Sequence, residues 1–118
     1  MRSIFIAGSL LVAAAIAGCA SGPPINERTE SSTAAIRAAE EVGANKVPRA
    51  SLHLQLAKEE AEHAKQLSTS GDKERAASLL LRAEADADLA VALSREQAER
   101  TDAAQAMERV HELQRANP

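Results

Sequence analysis

The chain has 118 residues, with 17 acidic side chains against 14 basic ones and a single aromatic residue, Phe5. That balance leaves neither the clustered cations nor the stacking rings that nucleic-acid binding uses. The length allows one domain at most beyond a leader, and the sole cysteine, Cys19, allows no disulfide within the chain.

The first element is an apolar run. Arg2 precedes roughly 15 apolar or small residues, from Ile4 to Gly18, which is shorter than the ~20 a membrane-spanning helix needs. Residues 1–18 therefore read as an export signal. Its last residues with the cysteine, Ile16-Ala17-Gly18-Cys19, resemble the lipobox of bacterial lipoproteins. The resemblance implies cleavage between Gly18 and Cys19, a diacylglycerol on the Cys19 sulfur and an acylated Cys19 amine. Two or three acyl chains, at ~0.8 kcal/mol per buried CH2, hold a protein to membrane lipid far more firmly than a single chain does. Ala20 and Ser21 stand where such lipoproteins commonly carry an aspartate for inner-membrane retention. The same resemblance thus implies the outer membrane, with the body of the protein facing the periplasm.

Residues 19–26 read as a lipidated tether, stiffened by Pro23 and Pro24. Residues 27–118 read as an alanine-rich helical domain, and the chain from Cys19 onward carries a formal charge of −4, from 13 basic and 17 acidic side chains. A first helix is expected from Glu27 to about Val42, with Ala34, Ala35, Ala38 and Ala39 among charged residues and Gly43 as its stop. A second is expected from Pro48, a favoured first-turn residue, to about Thr69. In it Ala50, Leu54, Ala57, Ala61 and Ala64 recur at alternating steps of four and three, and Leu52, Leu56 and Leu67 are expected to widen the stripe.

Gly71 suits a left-handed helix end and Asp72 the cap of a third helix, so the second and third helices are expected to form an antiparallel hairpin. Neither glycine nor proline occurs from Lys73 to Asn117, and Ala76, Leu80, Ala83, Ala87, Ala90 and Ser94 continue the stripe. Unbroken, this helix is roughly 65 Å long and overhangs the hairpin. Ser94-Arg95-Glu96-Gln97 and Asp102-Ala103-Ala104-Gln105 have the spacing of capping boxes, so a kink or break near residues 94 to 102 is the rival arrangement. The fold class is all-α: a lipid-anchored helical hairpin or three-helix bundle with a long C-terminal helix. Alanine seams bury little area, so the packing is thin and gains stability from a partner or from self-association. Glu96 and Arg100 add an i,i+4 pair in the favoured orientation.

Two family resemblances follow from these residues. Gly71-Asp72 with Ala64, Leu67, Ala76, Leu80 and Ala83 is similar to the hairpin core of one tetratricopeptide repeat. Closer is the likeness to small Ala-rich bacterial envelope lipoproteins grouped as a domain of unknown function, DUF 4398. It is carried by Pro48, Ala50, Leu54, Ala57, Ala61, Leu67, Gly71 and the run Ala83-Glu84-Ala85-Asp86-Ala87-Asp88-Leu89-Ala90. Some relatives of that kind carry a peptidoglycan-binding OmpA-like domain after the helices. Residues up to Pro118 supply none, so no direct peptidoglycan-binding domain is expected.

Catalytic motifs are lacking, and no catalytic residue, cofactor or metal is assigned. Glu59 and His63 fall at i,i+4 with Glu60 one turn below His63, but His53 lies ten residues away and leaves a ligand set incomplete. Asp86 and Asp88 point to different sides of a helix, and they read as a charged outer face rather than an acid/base pair. The apolar patch Ala103, Ala106, Met107, Val110 and Leu113 is the candidate interaction surface, with packing on the chain's own first helix as its alternative. The function expected is a non-catalytic outer-membrane lipoprotein, a periplasmic structural or adaptor element that holds an envelope protein through helix–helix contacts. A homo-oligomeric coiled-coil spacer is the second reading, and a small-ligand or metal-binding accessory protein the third.

Overall fold

The computed structural model describes residues 22–117. The readings on Gly18 and Cys19 lie outside them. Helix α1 spans Ile25–Glu41, a short 3-10 turn Ala44–Lys46 follows, α2 spans Pro48–Thr69, and α3 spans Lys73–Ala116. Among the described residues there is no strand, and the fold is all-α.

Local chemistry sets the boundaries. Gly43 sits at φ 76° and Gly71 at φ 93°, the left-handed conformation that ends α1 and α2 without a Cβ penalty. Pro48 opens α2 in its first turn. Asp72 caps α3, its Oδ1 accepting from the Arg75 backbone N–H at 3.2 Å. Helix α1 begins two residues before the expected Glu27. Pro24 has φ −59° and is already shaped for a first turn, and Ile25 gains burial against the cluster of Ala64, Ala76 and Leu80.

Two small clusters give the bundle its up-down-up order. At one end Ala64, Ala76 and Leu80 meet Ile25, Leu67 and Leu79. At the other, Ala39, Ala44, Ala50, Leu54, Ala90 and Leu93 meet Ile36, Val47 and Val91. Helices α1 and α3 therefore run parallel with α2 antiparallel between their ends. The α2–α3 hairpin is the main seam, and α1 lies chiefly on α3.

Among the described residues twelve hydrophobic ones are buried, nine of them alanine and the others Leu54, Leu80 and Leu93. Small side chains let the helices approach closely, but each removes little area from water, so no thick core forms. The expected stripes on α2 and α3 are buried, except that Ala61 is only half-buried. Leu52 and Leu56 correct the expectation that they widen the stripe: they are 57% and 37% exposed, because an alanine seam is too narrow to cover leucines on its flank. On α1 the buried positions are Ser32 and Ala39, while Ala34 is exposed. Ser32 fits inside because its hydroxyl donates to the Thr29 carbonyl at 3.1 Å.

Helix α3 is continuous over 44 residues. Ser94, one of the two possible restarts, is instead an interior residue whose hydroxyl donates to the Ala90 carbonyl at 2.8 Å. Past Glu96 every described residue of α3 is exposed. About 30 Å of helix, at 1.5 Å per residue, thus projects beyond the bundle.

Candidate functional site

Two features stand out, the projecting end of α3 and a polar cluster across the α2–α3 seam. The projection carries the predicted surface. Met107, Val110 and Leu113 are 63%, 50% and 70% exposed, so packing on the chain's own first helix does not occur. At 100° per residue, Ala103, Ala106, Val110 and Leu113 lie about 140° around α3 from the row Ala76, Leu80, Ala83, Ala87 and Ala90 that faces the bundle. The projecting apolar row is therefore no continuation of the core. Leu81 and Leu89, also exposed, share its side of the helix nearer the bundle, with Glu96 and Glu99 between the two groups. Charged side chains fix the remaining faces: Arg100 donates to Glu96 at 2.5 Å, and Arg115 Nη2 to Glu108 at 3.1 Å.

The bundle places Ile25 and the projecting end of α3 far apart. Ile25, six residues beyond Cys19, packs beside Leu67 and Leu79 at the turn end of the hairpin. The projection leaves from the opposite end, next to Val47, Leu93 and the close of α1.

The polar cluster was not foreseen. His53 Nδ1 lies 2.7 Å from Asp86 Oδ1, so the ring carries a proton on Nδ1 and donates it to the carboxylate. Next to them on the same seam, Arg82 Nη2 lies 2.6 Å from Glu60 Oε1, and the Glu60 side chain is only 11% exposed. Its second oxygen, Oε2, is buried and accepts no hydrogen bond among the described residues. Burial pushes the Glu60 carboxyl above its ordinary value; Arg82 pulls it down, and the charge and hydrogen bonding of Asp86 add to the rise. Asp86 thus corrects its assignment to a charged outer face: it is a half-buried seam residue, whereas Asp88 is exposed as expected. The hairpin's register brings it opposite His53, and helix periodicity within α3 could not show that.

The same cluster dismantles the suggested metal geometry. Glu60 turns to Arg82, Glu59 accepts from the Gln55 amide at 2.9 Å, and His63 is exposed. Among the described residues no three His, Cys, Asp or Glu side chains are grouped to hold a metal ion. A groove of about 360 Å3 opens between α1 and α2, with Ile25, Ile36 and Leu80 in its lining and Lys58 and Lys65 also bordering it. No helix among the described residues is long and apolar enough to cross a membrane.

No family model matches the chain, no curated protein is similar to it, and no solved structure matches it. The functional reading accordingly rests on the residues themselves.

Proposed function

We propose that this chain is an outer-membrane lipoprotein that acts without catalysis, as a periplasmic adaptor holding an envelope protein by helix–helix contact. The observation that carries the reading is the placement of its ends. The segment leading from Cys19 enters at one end of the bundle, and an unpacked helix with an apolar row leaves from the other. A chain anchored through lipid on Cys19 would hold Met107, Val110 and Leu113 roughly 50–60 Å along α3 from its start at Lys73, at 1.5 Å per residue. An apolar row of that kind on a projecting helix suits a partner helix laid along it, with the exposed side chains as anchors.

The homo-oligomeric spacer is the second reading, favoured by the heptad spacing of Leu89, Ala92, Ala103, Ala106, Val110 and Leu113. Glu96 and Glu99 occupy the same register, and parallel in-register pairing of copies would stack like charges there. That favours a different protein as partner.

The test is capture from cells of the full lipidated chain and of the double variant Met107→Glu with Val110→Glu. Both positions are exposed, so helicity is expected to be unchanged while partner capture is lost. Undiminished capture by the double variant would remove this surface from the account, and self-crosslinks alone would favour the spacer.

A further inference from the structure

We propose that Glu60 and Asp86 form a proton-holding clasp on the α2–α3 seam, which tightens the hairpin in mildly acidic solution and loosens it when the proton leaves. This inference is independent of the adaptor reading.

The geometry is that of a chain of polar groups lacking one hydrogen. Glu60 Oε1 already receives Arg82 Nη2 at 2.6 Å, and Asp86 Oδ1 already receives His53 Nδ1 at 2.7 Å. On the same seam Glu60 Oε2 is buried with no donor among the described residues, and the charge and hydrogen bonding of Asp86 are among the causes that raise the Glu60 carboxyl. With both carboxyls ionised, the buried Glu60 oxygen stays unsatisfied beside a second negative charge, which is costly. One proton taken from solvent onto Glu60 Oε2 repairs this. The new O–H donates to Asp86, Oε1 still accepts from Arg82, and all four side chains are linked in series.

The charges around the proton are few. Helix α2 contributes His53 and Glu60 and helix α3 contributes Arg82 and Asp86, while the α1 ion pair, Glu40 with Lys58, involves neither carboxyl. Arg82, at 67% side-chain exposure, is screened by solvent and offsets only part of the burial cost.

The sign of the effect follows from linkage. Glu60 is held above its ordinary value of 4.5 in the folded chain, chiefly by burial, so the folded state binds this proton more tightly than the unfolded one. Its contribution is present in full below 4.5 and is lost as pH rises through the folded value.

The test compares thermal unfolding of the full chain in detergent, wild type against Glu60→Gln, from pH 7.5 to 4.5. Glutamine supplies an N–H donor toward Asp86 at every pH and keeps an acceptor for Arg82. The variant is expected to melt about 4 °C higher at pH 7, the shift a single satisfied buried group produces in a domain of this size, with the gap closing as pH falls. An equal or lower melting point at pH 7, or a gap independent of pH, overturns the proposal. A carboxyl-carbon NMR titration of Glu60 in the wild-type chain tests it without a variant. A midpoint above 4.5 supports the clasp and one at or below 4.5 overturns it.

Discussion

His53 and Asp86 are 33 residues apart in sequence and meet at 2.7 Å across the seam between α2 and α3. Together with the Glu60–Arg82 pair it ties α2 to α3 across a seam made largely of alanine. Both side chains are about a quarter exposed, so solvent shares in the interaction.

Replacing His53 with alanine removes the donor and leaves the Asp86 carboxylate half-buried. The expected loss is about 1 kcal/mol, or roughly 4 °C in melting temperature. Thermal and urea unfolding followed by circular dichroism measure it, and an unchanged midpoint would show the pair to be ornamental.

The turn between the hairpin helices depends on backbone shape. A Cβ added at Gly71 meets nothing within 4 Å, so the cost of Gly71→Ala comes from φ 93° alone, about 1 kcal/mol. Asp72→Ala removes the cap on Arg75 N–H and is expected to cost a further ~1 kcal/mol. Urea midpoints of the single and double variants check both figures.

Alanine in the seam is required by spacing. Ala83 and Ala57 are fully buried, and Ala83→Leu is expected to force the helices apart at a cost of about 1–3 kcal/mol. Ala103→Leu, on the exposed end of α3, is expected to stay within about 0.5 kcal/mol of the parent. Equal effects at the two sites in chemical unfolding would mean that the seam is loosely packed.

The projecting part of α3 has no tertiary support among the described residues. Most helical stability in proteins comes from tertiary packing, so its backbone amides are expected to exchange with solvent much faster than those of residues 76–90. Ala98→Pro should break the projection and lower helicity while leaving the hairpin's melting midpoint nearly unchanged. Hydrogen exchange read by mass spectrometry, with circular dichroism of the variant, decides this.

The helices were legible because punctuation marks them. Pro48 and the Gly71-Asp72 pair locate the ends of α2 within a residue, and the run without glycine or proline from Lys73 to Asn117 carries an unbroken α3. Ser32 was not legible, since a buried serine that bonds its own helix looks in sequence like a solvated one. Leu52 and Leu56 misled for the opposite reason, their hydrophobicity exceeding what a narrow seam can cover. The polar clasp needed the pairing of two helices. Counting outward from the Ser70-Gly71 turn in equal steps brings Glu60 near Arg82 but sets His53 opposite Asp88, so the contact with Asp86 was not legible that way. The surface formed by Met107, Val110 and Leu113 was visible as a pattern, but only the structure shows that it faces away from the bundle.

The proposed lipid anchor has its own test. Cys19→Ser in the full chain is expected to abolish labelling by a radioactive fatty acid and to release the protein from the membrane fraction. Retained labelling would place acylation elsewhere.

The most direct measurement is site-specific photo-crosslinking in cells, with the reactive residue placed in the full chain at Val110 or at Leu52. Both positions are exposed, at 50% and 57%, but only Val110 lies on the projecting row. The account predicts a discrete crosslinked envelope protein from Val110 and none from Leu52. Crosslinks of equal yield from both positions, or none from Val110, would contradict it.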